Sequence, residues 1–282
     1  MATTTESLKA FFDATDRVAL VEVARAKGST PREAGAYMLV SRRAIHGTIG
    51  GGQLEFMAID QARQMLADAR GPHEFVLDIP LGPEIGQCCG GRVEVLIRLM
   101  DEKLKAELIE AAESEDASLP HIYIFGGGHV GQALASALSL LPLKATIVET
   151  RAEALEGMPA GVETRLTSVP EEMVRSAAPG AAFVVLTHDH ALDFLIVAEA
   201  LKRSDAAYVG MIGSKTKKAT FRSWYLKSAG GSEADFSRLV SPIGGDAVKD
   251  KRPAVIAALA AAEIMTALAA HSKAASEKAT AG

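Results

Sequence analysis

Cys88 and Cys89 are the only cysteines of the 282-residue chain, and they are neighbours in GPEIGQCCGGRV (82–93). A thiolate is a nucleophile and a soft metal ligand. A cysteine kept for packing acts as a small hydrophobe and needs no adjacent twin in a glycine-rich loop. A disulfide between neighbours would close a small strained ring and cross-link nothing. The pattern points to sulfur presented to a ligand, with two buried thiols in a turn as the alternative.

Four other stretches carry residue types that bind ligands. In IFGGGHVG, Gly126, Gly128 and Gly131 match G-x-G-x-x-G between a predicted strand and a predicted helix. Such a loop brings backbone N–H groups and a helix N-terminus up to a phosphate. Glu149 ends the next strand, 18 residues beyond Gly131, where an acidic ribose contact belongs, and Arg151 follows it. In THDHALD, His188, Asp189, His190 and Asp193 follow an apolar strand. They read as a metal set, as ligand contacts, or as a helix cap with Asp189 or His190 as the capping residue. In MIGSKTKKATFR, Gly213 and Ser214 precede Lys215, Lys217, Lys218 and Arg222, a phosphate or partner patch or else a solvated basic face. In GTIGGGQLE, Gly50 to Gly52 lead into a helix with Gln53 and Glu55 at its mouth, a second candidate anion cradle.

The elements that must position these residues fall into two halves. RVALVEVARA (17–26) and AYMLVS (36–41) read as strands. Residues 53–69 place Leu54, Met57, Ala58, Met65 and Leu66 at helical spacing. HEFVLDI and RVEVLIRLM bracket the cysteine loop as a pair of strands. Residues 1–108 therefore read as an α+β domain. The charged stretch 109–119, ending SEDASL before Pro120, reads as a linker. Strand and helix then alternate through 120–271, which predicts a Rossmann-like, doubly wound parallel-sheet α/β domain. Residues 272–282 read as a flexible tail.

Bulk properties narrow the function. The chain is 48% hydrophobic and 23% charged, enough apolar content for a proper core. A net charge of −5 argues against nucleic-acid or anionic-membrane binding. The start MATTTESLKA lacks a secretory pattern, and the apolar segment near the end carries Lys251, Arg252 and Glu263, so a cytoplasmic location without a membrane span is expected.

GGGQLE, GQCCGG, IFGGGHVG, THDHALD, YVGMIGSK and SPIGGD occur in that order. Together they resemble the XdhC/CoxI family, across residues 15–268. The resemblance implies a maturation chaperone rather than a metabolic enzyme. Its cargo would be the molybdenum cofactor (molybdopterin-Mo), held while an oxo ligand is exchanged for sulfido. It implies reception from an upstream molybdenum-insertion protein, sulfur from a NifS-type cysteine desulfurase, delivery to the molybdenum-binding subunit of xanthine dehydrogenase, and a homodimer. Cys88 and Cys89 would face molybdenum or incoming sulfur. Gln53, Glu55, Gly126, Gly128, His129, Gly131, Glu149, Arg151, His188, Asp189, His190, Gly213, Ser214 and Asp246 would contact the cofactor. His129 matches the family's GGGHVG; after Asp246 the chain departs from the family's glycine-containing continuation. Three alternatives stay open: a nucleotide-extended cofactor with Glu149 on its ribose, an NAD(P)-dependent oxidoreductase using GGGHVG and Glu149, and a metal-dependent hydrolase using His188 and His190.

Overall fold

The computed structural model describes residues 5–68, 70–82 and 90–280. They form two compact units, the first ending at Ser118 and the second beginning at Leu119.

The first unit contains α1 (Thr5–Asp13), β1 (Val18–Lys27), β2 (Tyr37–Ser41), β3 (Ile45–Gly47), α2 (Gly52–Ala67), β4 (Glu74–Pro80), β5 (Arg92–Leu99) and α3 (Glu102–Ser118). Its strands form an antiparallel sheet in the order β3-β2-β1-β5-β4. Alternate residues serve opposite faces, as the pleat requires. Ala19, Val21 and Val23 of β1 join Leu54, Ala58, Ala62 and Met65 of α2 in one core. Val18, Leu20 and Leu39 join Leu8 and Phe12 of α1 and Ala112 of α3 in another.

The expected linker at 109–119 is therefore corrected. Helix α3 runs through it to Ser118. Charge density hid an apolar stripe at helical spacing, Leu104, Leu108, Ile109 and Ala112, which packs with α1. Asp116 also accepts the Thr5 N–H at 2.9 Å, and Lys9 pairs with Glu113 at 2.6 Å.

The second unit is the expected α/β domain. Its elements are β6 (His121–Phe125), α4 (His129–Leu138), β7 (Lys144–Glu149), β8 (Glu163–Leu166), α5 (Glu171–Ser176), β9 (Ala182–Val185), α6 (His190–Leu201), β10 (Tyr208–Met211), α7 (Lys215–Lys227), α8 (Glu233–Ser237), β11 (Leu239–Val240) and α9 (Pro253–Thr280). The sheet order is β11-β10-β9-β6-β7-β8, with every pairing parallel. Chain direction across the sheet reverses between β6 and β9, the switch point where such sheets bind ligands beyond their carboxyl ends. Tyr123, Phe125, Phe183 and Val185 face a core shared with α5, α6 and α7. Ile122, Ile124, Ala182 and Val184 face one shared with α4 and α9.

Helix α9 is long and apolar enough to cross a membrane by length and composition. Its Ala257, Ala260, Ala261, Ile264 and Leu268 are nonetheless buried in the core with α4. It continues to Thr280, past the expected boundary at 271, through residues with good helix propensity and a Lys273–Glu277 pair one turn apart.

If the apolar stripe of α9 is core, Ile264→Ala should destabilise the second unit by about 2–5 kcal/mol. The exposed Thr266→Ala should stay within about 0.5 kcal/mol. The chain's single tryptophan, Trp224, lies in this unit, so its fluorescence in urea reads both variants.

Candidate functional site

The glycine loop of the second unit fills the switch point. Gly126 follows β6 with φ 118°, a backbone region that favours glycine. A Cβ there would lie 2.5 Å from the Leu186 carbonyl oxygen, one at Gly127 would lie 2.2 Å from that of Ala154, and one at Gly131 2.0 Å from that of Gly126. Packing alone demands these three glycines. Gly128 is different. It is extended, at φ −70°, and a Cβ there would meet nothing within 4 Å. It is exposed, it precedes α4, and no side chain caps that helix. The fold does not need a glycine at 128, and the backbone there is open to an approaching group. His129, beside it, is exposed as well.

Glu149 lies behind this loop with its carboxylate turned inward. One oxygen accepts the Gly127 N–H at 3.0 Å and Arg151 Nη2 at 3.3 Å. The other accepts the Thr150 N–H at 2.8 Å, Thr150 Oγ1 at 3.2 Å and the Arg151 N–H at 3.2 Å. The residue is 4% exposed. Burial pushes its carboxyl up, but the bonds from Gly127, Thr150 and Arg151 prevail and hold it below the ordinary 4.5. The residue expected to read a ribose instead braces the loop.

The loops after β9 and β10 complete this edge. The Cβ position of Gly126 is 3.1 Å from Thr187 Cα. Thr187 donates its N–H and Oγ1 to Asp193, at 2.9 and 2.7 Å. Asp193 is fully buried and pairs with the buried Lys217, whose ammonium also donates to the Ile212 carbonyl at 3.0 Å. One unbroken set of contacts thus links the three strand-end loops. Sequence reasoning had Asp193 in a metal set and Lys217 in a surface patch; both are internal.

The remaining expectations resolve residue by residue. Asp189 caps α6, accepting the Ala191 N–H at 2.8 Å. His188 and His190 are exposed, and His190 borders an apolar groove of about 420 Å³ with Phe194, Leu195 and Trp224. Among the described residues, no group of three or more His, Cys, Asp or Glu is placed to hold a metal ion. Gly213 packs against the Lys217 side chain, and Ser214 caps α7 through the Lys217 N–H. The basic patch disperses: Lys215 faces Asp246 at 4.0 Å, Lys218 donates to the Ser241 carbonyl at 3.2 Å, and Arg222 pairs with Glu233. Asp246 is exposed. Its loop is held by Glu263 of α9, which accepts the Gly244 N–H at 3.2 Å and the Tyr208 hydroxyl at 2.5 Å.

In the first unit, the expected anion cradle at Gly50–Gly52 is already filled. Glu55 folds back and accepts Thr48 Oγ1 at 2.5 Å and the N–H groups of Ile49 and Gly51 at 3.2 and 3.0 Å. Gln53 is exposed in the first turn of α2. This loop converges with two others. A Cβ on Gly50 would lie 2.6 Å from Pro31 Cβ, and Ser29 bridges to Gly90 at the base of the cysteine loop. That base is closed by the Leu81 N–H on the Gly91 carbonyl, 2.8 Å, and the Gly90 N–H on the Leu81 carbonyl, 2.9 Å. Cys88 and Cys89 lie outside the described residues.

Comparison with known proteins gives a consistent placement. The family described as XdhC Rossmann domain matches residues 122–264, about half of the chain. The XdhC and CoxI family matches residues 12–77. "Uncharacterized protein YqeB" of Escherichia coli K12 is 26% identical over 258 residues, which are 88% of this chain and 43% of that protein. The chain thus spans less than half of that relative's length. A crystal structure described as a xanthine dehydrogenase from Bacillus halodurans superimposes with a TM-score of 0.77 at 17% identity, over 94% of this chain and 96% of the other, a likeness of fold.

Two stability experiments probe the braces. Because the Glu149 carboxyl titrates below 4.5 when folded, its contribution is complete above that pH and drains away as the pH falls through the folded value. The gap in urea midpoint between wild type and Glu149→Gln should therefore be widest near neutrality and shrink below about pH 4.5. Asp193→Asn leaves the Lys217 ammonium buried without a counter-charge and should cost about 3–5 kcal/mol. Adding Lys217→Met should cost less than the sum of the two single changes, as Trp224 fluorescence in urea would report.

Proposed function

The chain belongs to the XdhC/CoxI family, and from that premise we propose that it serves the maturation of a xanthine dehydrogenase-type molybdenum hydroxylase. In this reading it holds the molybdenum cofactor as cargo between synthesis and insertion. The observation that carries the proposal is Gly128, a glycine the fold does not require, open to solvent at the uncapped start of α4. Molybdopterin ends in a phosphate, and a helix N-terminus with an unobstructed backbone suits one. Gly128 and His129 form that contact on the turn that Gly126 and Gly131 permit, with His188 and Asp189 on the neighbouring loop.

Cys88 and Cys89 supply the other half of the proposal. Soft thiolates suit both molybdenum and sulfur transfer from a NifS-type cysteine desulfurase. The loop that carries them is closed at its base, beside the Ser29 and Gly50 segments. The loaded protein, a homodimer in the cytoplasm, passes the cofactor to the apo hydroxylase.

An NAD(P)-dependent oxidoreductase is the second reading. It rests on the same glycine loop, but Glu149 has its oxygens occupied by Gly127, Thr150 and Arg151 and presents no free acceptor for a ribose. A nucleotide-extended cofactor meets the same obstacle.

Molybdenum and pterin should be measured on protein loaded with cofactor and desalted, for wild type and for Cys88→Ala/Cys89→Ala. Near-stoichiometric amounts of both in the wild type, with at least a tenfold loss in the double variant, are expected. Wild-type protein that retains neither would remove the cargo role, and equal retention by the variant would remove the cysteines from it.

A further inference from the structure

Strand β8 ends its sheet with every residue exposed. Among the described residues it pairs with β7 alone, along Thr146–Glu149. Just beyond it, the Thr167 N–H bonds the Glu149 carbonyl at 2.9 Å. Backbone groups alternate along a strand, so Thr164 and Leu166 turn their N–H and C=O groups away from β7, to the open edge. Such an edge is a template for another strand, and proteins usually blunt one with lysine, proline or a bulge. The sequence of β8, ETRL, holds neither lysine nor proline, and its register on β7 is unbroken. Leu166 is 57% exposed on it. The strand is short, four residues, so whatever pairs with it must match it closely.

The strand matches itself. Glu163 and Arg165 lie two residues apart and share one face of the sheet. They pair at 2.5 Å, and Glu163 also accepts Thr146 Oγ1 at 3.1 Å, which anchors its carboxylate on β7. Let a second β8 run antiparallel about a two-fold axis at Thr164. Glu163 of each copy then stands opposite Arg165 of the other, and Thr164 faces Thr164. On the other face of the sheet, Leu166 meets Val162. The Leu166 N–H reaches the Val162 carbonyl, while the Val162 N–H stays in its turn with Pro159 at 3.3 Å. Opposite charges and paired threonines, directly across from one another, are combinations that stabilise a sheet. An axis at Glu163 or at Arg165 would set like charge against like, so charge selects the register. The edge strand of the first unit, β4, does not match itself in this way: EFVLDIP carries Glu74 and Asp78 and no base.

We propose that β8 is a self-association surface whose partner is a second copy of this chain, joined β8 to β8 in antiparallel register with Thr164 on the axis. The contact is isologous, as a two-fold dimer requires. The proposal rests on the homodimer reading above, names its contact and is independent of the cargo.

The test is sedimentation velocity of the full chain across a dilution series. Wild type should run as a dimer that dissociates on dilution. Arg165→Glu sets acid opposite acid on both sides of the axis and should weaken the dimer at least tenfold. Exchanging the two charges, Glu163→Arg/Arg165→Glu, restores the opposition and should recover most of that loss. Thr164→Pro removes an N–H that faces only the open edge, so it should yield a monomer whose urea midpoint, read by Trp224 fluorescence, is unchanged. If the proline variant does not fold, the charge exchange still decides. A wild-type dimer that neither Arg165→Glu nor Thr164→Pro weakens places the interface elsewhere and leaves the homodimer standing. Weakening by Arg165→Glu without recovery in the exchanged pair overturns the Thr164 register. Wild type that stays monomeric throughout overturns the homodimer, and this contact with it.

Discussion

A buried charge pair, Asp193 with Lys217, holds together the loops at the carboxyl ends of the strands in the second unit. Such pairs rarely repay the water they lose, so net stability is a poor reason for one to be there. Geometry is a better one. Asp193 reaches Thr187 at the end of β9, while Lys217 reaches Ile212 at the end of β10. Each loop is thereby tied to the helix that follows it, the pair ties the two helices together, and the Gly126 turn packs directly on Leu186 and Thr187. Apolar residues could fill the same volume, but they would leave the Thr187 N–H and the Ile212 carbonyl without these partners. That edge depends on two charges that solvent barely reaches.

The same economy appears in both glycine loops. Each is held by a carboxylate from its own unit: Glu55 for the loop at Gly50–Gly52, Glu149 for the loop at Gly126–Gly128. The outcomes differ. Glu55 sits at the start of α2 and takes the place an external anion would want. Glu149 approaches from the next strand and takes only the Gly127 N–H, leaving Gly128 and the first turn of α4 open. Two similar glycine-rich strings therefore make one closed turn and one open cradle, and the difference is where the acid comes from.

Much of this was legible in the residues. The strand-like runs of β1 and β5, the βαβ rhythm after His121 and the glycine spacing led to an α+β half followed by a Rossmann-like half. The role of Lys217 was legible too: Lys217, Phe221 and Tyr225 recur every four residues on one helical face, and that face is buried. Asp193 likewise heads the stripe Ile196, Val197, Ala200 and Leu201. A charge on an apolar stripe announces a buried partner, whereas reading the lysines as a cluster concealed it. Other features carry no such mark. β8 is exposed at every residue and β11 spans two, so neither shows a period. The spacing that places Glu149 at a strand end says nothing about which way its carboxylate turns, and that depends on a turn and a glycine more than twenty residues away.

Helix α9 bears on how the chain is made. It is the most membrane-like segment described, yet it follows every strand of its sheet and α4 in chain order. By the time residues 253–280 leave the ribosome, the groove that receives Ile264 and Leu268 has already been synthesised. An apolar helix emerging first would wait in solvent, open to aggregation or to insertion machinery. Emerging after them, it meets its own domain.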